Sequence, residues 1–429
     1  MSALPAAAME GAEEFEDLDS FRVRARTFIR SNLRQLTPDE LRSRRTVVSE
    51  EQELASVARQ RVIQRMLFDA ELAGICFPKA YGGQGLTPAH QLVFNEEISG
   101  FEYPVHLQVP TLSPCATVLL EYGTEEQKLG HLPAIFRGEE LWMQFLSEPG
   151  GGSDVAGALT TAVRDGDQWV LNGSKVWTTG AWWSDWGLCL ARTNWDVPKH
   201  RGLTVFMLPI HQPNVEVHRI EMLNGSKEFC QEFMTDVVVP DSDRVGDVDD
   251  GWTVCTRWMF HERMLYSSPY VTEPVGVVHG TMEAAAVFRN AQEAGVLDDV
   301  AMRERIGEAR MLEIVNDALA TRISERIGSG QLSDQAAAII RLFKGSAQQR
   351  INSLTFEAAG PDGAAWMEGA ASSESAINYL MRQAGSIGGG TVEMARNVIS
   401  ERVLGMPRER SVDKDVPFRD VPRGRSTTD

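Results

Sequence analysis

The apolar residues of this chain change their period twice, and that change limits the possible folds more than any single motif. In residues 20–140 they recur at helical spacing, with Phe21, Ala25, Phe28 and Ile29 forming one stripe and Val62, Met66, Leu67 and Ala70 another. From about 141 to 249 the pattern becomes short and alternating, which predicts strands at 160–163, 169–171, 188–192, 203–208, 215–220 and 230–239. Asp165-Gly166 and Asn172-Gly173 fall between such runs, and dipeptides of this kind favour the positive φ angles of tight hairpins. Beyond Gly251, helical patterns return over 252–268, 275–294, 300–328, 334–359, 372–384 and 392–404, lengths that suit a bundle. The expected fold class is α+β, with an N-terminal helical domain (20–140), a middle antiparallel β-domain (141–249) and a C-terminal helical bundle (250–407). Residues 1–19 and the charged, proline-containing stretch 408–429 are expected to be flexible.

Charge and cysteine usage narrow the function. A formal net charge of −18 argues against nucleic acid or an anionic membrane as the main partner, since both reward basic surfaces. No apolar run approaches the ~20 residues of a membrane span. Cys76, Cys115, Cys189, Cys230 and Cys255 show neither metal spacing nor CxxC pairing, so reduced buried thiols and a cytoplasmic compartment are expected. Residues 1–19 contain no basic n-region or apolar h-region, which predicts neither a signal peptide nor a basic transit peptide.

The stretch most suggestive of chemistry is Ser147-Glu148-Pro149-Gly150-Gly151-Gly152-Ser153-Asp154. Its three glycines permit unusual backbone angles and close approach by a ligand, and Ser147 and Ser153 flank them with hydroxyls. A tight turn between strands is the competing reading. Another loop, Phe77-Pro78-Lys79-Ala80-Tyr81-Gly82-Gly83-Gln84-Gly85, reads as a structural turn.

The glycine stretch, followed by Trp177-Thr178-Thr179, resembles the acyl-CoA dehydrogenase family, as do the Pro78–Gly83 turn and the helix–β–helix order. The resemblance covers roughly residues 20–410 and implies FAD. It implies cofactor contacts at Gln144, Phe145, Leu146, Ser147 and Ser153 on one side and at Trp177, Thr178 and Thr179 on the other. It also implies an acyl-CoA substrate and an electron-transfer flavoprotein as acceptor. Such an enzyme removes a proton from the α carbon and a hydride from the β carbon of the thioester, so it needs a positioned carboxylate. Many relatives supply that base from a Glu-Gly-Thr loop before the last helix, but the matching residues here are Gly389-Gly390-Thr391. The other position known in the family lies on the helix after the β-domain, where this chain reads Phe260-His261-Glu262-Arg263.

Helical spacing puts Glu262 on the same stripe as Cys255, Trp258, Met259, Leu265 and Tyr266. A buried ion pair is the alternative to catalysis there. Arg263 points away from Glu262 and is expected to line the substrate pocket or anchor a loop, while His261 is expected at the edge of the stripe. The resemblance implies that Gly389 offers its N–H to the thioester carbonyl. By resemblance Ser153 contacts the pantetheine or phosphate part of CoA, with a turn-capping hydroxyl as the alternative. Thr391 and Glu393 read locally as an N-cap and a first-turn carboxylate, and by resemblance as flavin contacts. Of Trp182, Trp183 and Trp186, at least two are expected to be core residues.

The family's adenosine-end motifs are degraded. Phe288-Arg289-Asn290 stands where an Arg-x-x-Phe-Gly is usual, and Glu357-Ala-Ala-Gly360-Pro361-Asp362-Gly363 retains only Glu357 and Gly360 as candidate contacts. Those residues normally serve a neighbouring subunit's cofactor. The losses therefore resemble heteromeric α2β2 members that share fewer flavins, with a homo-tetramer or dimer as the alternative. Two other readings stay open, a non-catalytic partner subunit and an oxygen-using flavoenzyme of the same fold.

Overall fold

The computed structural model describes residues 15–37, 40, 49–263, 268–272, 283–365, 373–411 and 413–422. The chain forms two compact units, one of Met1–Trp142 with Met264–Val277 and one of Met143–Arg263 with Val278–Asp429.

The first unit is helical. Helix α1 (Leu18–Asn32) buries Phe21, Ala25 and Ile29 at a spacing of four and is capped by Asp17, whose carboxylate accepts from the N–H groups of Asp19 and Ser20. Helix α2 (Glu50–Asp69) begins with a Ser49/Gln52 capping box. Its buried stripe is Val57, Gln60, Ile63, Gln64 and Leu67, whereas Val62 is half exposed. The expected helix is present, but its inward face is turned by one residue, about 100°. The reason is polar: Gln64 Nε2 donates to the Phe136 carbonyl at 2.9 Å, so glutamines occupy core positions. The 77–85 loop is a structural turn in which Gly82 has φ +85° and a Cβ on Gly83 would lie 2.2 Å from the Phe77 carbonyl oxygen. Helices α3 (Pro88–Glu97), α4 (Thr117–Tyr122) and α5 (Glu125–Phe136) follow. Between α3 and α4, Val109 and Ser113 are extended, as residues preceding proline must be.

The second unit contains the sheet. Its strands are β1 (Trp142–Phe145), β2 (Thr161–Asp165), β3 (Gln168–Thr179), β4 (Trp186–Arg192), β5 (Leu203–Pro209), β6 (Val215–Ile220), β7 (Phe229–Pro240) and β8 (Arg244–Val245). They run in the order β6-β7-β3-β2-β4-β5-β8, with β1 paired to β4. Gly166, at φ +64°, makes the expected β2–β3 hairpin. Asn172-Gly173 does not form a turn. It lies within β3, where a register shift against β7 falls and where a Cβ on Gly173 would be 2.5 Å from Thr160 Oγ1.

Helix α6 (Gly251–Arg263) starts tight against β5, since a Cβ on Gly251 would stand 2.6 Å from Thr204 Cα. Then come α7 (Ala284–Glu293), α8 (Val300–Gly328), α9 (Ala337–Ala358), α10 (Gly360–Ala364), α11 (Ser373–Met381) and α12 (Val392–Val398). Helix α9 packs on α7, α8, α11 and α12. Val287, Ala291, Ala309, Ile351 and Leu354 lie in the core of this bundle.

The expectation of a loose 408–429 segment is corrected for its described end. Phe418 is buried, with the Arg192 guanidinium 3.7 Å from its ring centroid and Trp195 stacked on it at 5.4 Å. Its N–H donates to the Val197 carbonyl at 2.9 Å, and Arg419 N–H donates to that of Trp195 at 3.0 Å. At the other end, residues 1–14 lie outside the described part of the chain, and residues 17–19 already belong to the capped start of α1.

Candidate functional site

The glycine stretch and the end of β3 are held together by buried hydrogen bonds. Glu148 turns inward, where its carboxylate accepts from Lys175 Nζ at 2.8 Å and from the N–H groups of Leu159 (2.6 Å) and Thr160 (2.9 Å). Lys175, fully buried on β3, also donates to the Leu146 carbonyl at 3.3 Å. Burial pushes the Glu148 carboxyl upward, but the Lys175 ammonium and the two N–H donors outweigh it and hold the group below the ordinary carboxylate range. Val176 N–H donates to the Ser147 carbonyl at 2.9 Å, and Thr178 Oγ1 lies 3.3 Å from the Gln144 carbonyl oxygen. The structure thus brings Gln144, Phe145, Leu146 and Ser147 alongside Trp177, Thr178 and Thr179, about thirty residues later in the chain.

Here β3 is irregular. A second register shift against β7 falls between Val176 and Thr178, and Trp177 adopts φ +67°. A tryptophan in the left-handed region costs about 1–3 kcal/mol, strain that collects at functional sites. Its effect is to turn Trp177, 54% exposed, and Thr179 outward, while Thr178 is buried. The Trp177 ring meets only the edge of Phe229 among the described ring pairs, at 6.0 Å.

The glycines of the neighbouring turn are not explained by the turn itself. None of Gly150, Gly151 or Gly152 has a positive φ, and a Cβ on any of them would meet nothing closer than 3.7 Å. The tight turn of the competing reading is present, with Gly151 N–H donating to the Glu148 carbonyl at 3.0 Å, but it does not require its glycines, and open space stands over the loop. Ser153 is exposed at its end. The next residue, Asp154, accepts from Lys199 Nζ at 3.1 Å, and the same ammonium reaches Asp413 of the C-terminal segment at 3.1 Å.

The other expected residues fall into separate groups. Glu262 is half-buried on the last turn of α6, whose inward residues are Val254, Cys255, Trp258 and His261. His261 is therefore not at the edge of the stripe: it is 6% exposed, with Arg257 Nη2 3.5 Å from its Nε2. Leu265, Tyr266 and the Arg263 side chain lie outside the described part. Gly389 and Gly390 have φ +71° and +93°, and their loop is clasped by Arg341 of α9. The guanidinium donates to the carbonyls of Gly385 (3.0 Å), Gly388 (2.7 Å) and Gly390 (2.9 Å). Thr391 is the N-cap of α12, accepting from Met394 N–H at 3.1 Å, and Glu393 is exposed in its first turn. Glu357 pairs with Arg305 at 3.0 Å and Arg350 at 3.7 Å, and Gly360, at φ +62°, ends α9. Trp183 is buried against Gly180, where a Cβ would come within 2.0 Å of its ring, and Trp182 lies half-buried under Arg219.

One buried acid was missed. Glu232 on β7 has no solvent exposure, yet among the described residues Thr178 Oγ1, at 3.0 Å, is its only side-chain partner, and its Oε1 has no hydrogen bond. Burial pushes its carboxyl up to about 8. Strand alternation held the signal, since Glu232 is in phase with the buried Cys230 and Met234. Among the described residues no cluster could hold a metal ion, and no helix is long and apolar enough to cross a membrane.

Comparison with known proteins agrees with this architecture. Descriptions of the acyl-CoA dehydrogenase N-terminal, middle and C-terminal domains match residues 21–139, 144–237 and 249–404. Acyl-CoA dehydrogenase IpdE1 of Mycobacterium tuberculosis is 32% identical, over 92% of this chain and 99% of its own length. Acyl-CoA dehydrogenase FadE34 of the same organism is 33% identical over 80% of this chain, a match that spans 46% of FadE34. The solved Tcur3481-Tcur3483 steroid ACAD superposes with TM-score 0.71 at 25% identity, over 92% of this chain and 99% of that one. Three matched segments in this order, around a helix–β–helix fold, define the class as flavoprotein oxidoreductases acting on a CH–CH group. The chain belongs to the acyl-CoA dehydrogenase family.

Proposed function

We propose that the chain oxidises an acyl-CoA thioester to the trans-2,3-enoyl-CoA. FAD, when bound, would supply the hydride acceptor. The observation that carries this reading is Trp177, held outward at a strained angle beside a glycine turn that has open space above it. An aromatic face next to bare backbone fits a flat ring system carrying polar edges. Gln144, Phe145, Leu146 and Ser147 would hold one side of that ring, with Trp177, Thr178 and Thr179 on the other. Thr178, whose hydroxyl points inward, would contribute through its backbone. Thr391 and Glu393 would contact a further edge, and Glu357 and Gly360 the adenosine end.

Glu262 takes the α proton in this reading. It is carried by a helix whose start is packed against β5, a firmer support than a loop. The Gly389 N–H stabilises the carbonyl oxygen as charge develops there, and Arg263 and Ser153 bind acyl chain and CoA. An electron-transfer flavoprotein would then reoxidise the enzyme.

The test is the visible spectrum of the purified protein, followed by anaerobic bleaching with short, branched and steroid CoA thioesters. The steroid thioesters are tried first because a similar solved protein is a steroid ACAD. Glu262→Gln is expected to keep the flavin colour and slow bleaching by about 10²–10⁴-fold. Unchanged bleaching would remove Glu262 from the chemistry. Turnover that proceeds only with oxygen, and not with an artificial acceptor, would favour an oxidase instead.

A second reading has its own support. Glu357 is occupied by Arg305 and Arg350, so the degraded adenosine end is also engaged within the chain. That favours a heteromeric assembly in which an unlike subunit completes the site.

A further inference from the structure

Three buried ionisable groups meet in the sheet, and their hydrogen bonds are shared unevenly. Lys175 on β3 stands directly opposite Glu232 on β7, yet its ammonium turns to Glu148 at 2.8 Å and to the Leu146 carbonyl at 3.3 Å. One cation therefore serves one of two acids. Glu232 keeps a single side-chain partner, Thr178 Oγ1 at 3.0 Å on Oε2, and its Oε1 is empty. An ionised carboxylate with an unfilled oxygen in a sealed interior costs several kcal/mol, and the neutral acid avoids most of that cost. Burial accordingly raises this carboxyl to about 8, against the opposing pull of the Thr178 hydroxyl, its own backbone N–H and the Lys175 charge. The charged and titratable groups around it are Lys175 on β3, Glu148 in the glycine stretch, Cys189 on β4, whose own thiol is pushed up to about 12, and Cys230 two residues earlier on β7, whose thiol is pushed up to about 11.

Protonation decides where the Thr178 hydroxyl points. That hydroxyl has one proton and two acceptors in reach, Glu232 Oε2 at 3.0 Å and the Gln144 carbonyl at 3.3 Å. An ionised Glu232 draws the proton to itself and leaves the Gln144 carbonyl without this donor. A Glu232 protonated on Oε2 donates to Thr178 Oγ1, and the hydroxyl proton is then free for Gln144. We propose that Glu232 is a positioning residue which, as a neutral acid, runs a relay through Thr178 to the Gln144 carbonyl and fastens β1 to β3 beneath the ring cradle. This rests on the function proposed above for its link to flavin, but the relay itself does not.

The experiment has two arms on the full chain. Infrared spectra of the wild type are expected to show the C=O band of a protonated carboxylic acid at pH ~7 that fades as the pH passes about 8. Glu232→Gln should lack that band, and Thr178→Val should shift it. Absence of the band at neutral pH, or a band indifferent to Thr178→Val, overturns the relay. Should Glu232→Gln fail to fold, the wild type and Thr178→Val decide alone. In the second arm FAD affinity is measured against pH. Glu232→Gln, whose amide N–H can replace the acid proton, is expected to bind like the wild type at neutral pH and without its decline above about 8. Glu232→Met is expected to bind about tenfold more weakly at every pH. A purely structural role would weaken both variants alike and leave the wild-type pH profile in Glu232→Gln, which would overturn the proposal. If no FAD binds to any form, the function reading fails, and the infrared arm still decides the relay.

Discussion

Glu148 and Glu232 lie in the same interior and respond to it in opposite directions. Glu148 has the Lys175 ammonium and two backbone N–H donors, so its folded form binds a proton less readily than the unfolded chain does. Its stabilisation is present above the ordinary carboxylate range and is lost as pH falls through the depressed folded value. Glu148→Gln leaves the Lys175 charge buried without its anion and is expected to cost about 3–5 kcal/mol near neutral pH, read as a lower melting temperature. Glu232 is raised from 4.5 to about 8, so the folded state holds a proton there that the unfolded state has released. Stability from this group is full below the unfolded value and declines as pH rises through that interval, by up to roughly 1.4 kcal/mol per pH unit. Melting temperatures of Glu232→Gln measured from pH ~5 to ~9 should lack that decline. The motif made Glu148 visible in the sequence, but not its inward turn, because the lysine that draws it in lies on another strand. Glu232 was readable by counting alternate positions from Cys230, and a charged residue in that phase is the signal a period-based reading passes over.

Helices and strands were legible where one face is apolar throughout, and less so where polar groups take part in packing. The α1 stripe matches its sequence pattern because Phe21, Ala25 and Ile29 have no polar competitors. The α2 stripe was placed one residue off because Gln60 and Gln64 are buried among apolar neighbours. The same holds for α6, where His261 takes an inward position that its charged neighbour Arg257 obscured. The loop before α12 could be located from Gly389-Gly390-Thr391, and Thr391 does cap the helix. The residue that shapes the loop could not be found that way, since Arg341 lies more than forty residues upstream. Arg341→Met removes the donors to three carbonyls of the loop. It is expected to speed hydrogen exchange across 385–391 and, under the proposed mechanism, to slow flavin bleaching with little change in FAD content. Thr391→Ala, which removes the cap and, under the proposed mechanism, a flavin contact, should cost about 1 kcal/mol of stability. Equal effects of the two variants on hydrogen exchange across 385–391 would mean that the helix start, and not the clasp, sets the loop.

At the scale of the whole chain, the alternation of helical and strand periods fixed the order of parts, while the C-terminal segment was misread because its charge and prolines resemble a tail. Its anchor is a single aromatic residue, Phe418, whose partners Arg192 and Trp195 belong to the end of β4 and the loop after it. The segment also touches the glycine stretch indirectly, through the ammonium of Lys199 shared between Asp413 and Asp154. Removing the anchor therefore tests whether the chain's end braces the loop. A Phe→Ala change in a core costs about 3–5 kcal/mol, but a terminal segment can undock by itself, which limits the loss to the docking free energy of that segment. Phe418→Ala is expected to lower the global melting temperature by less than a core substitution would. It should sharply raise hydrogen exchange at 413–422 and at 195–199, with a smaller rise at 148–154. A rise confined to 413–422 would show that the segment rests on the sheet without bracing the loop.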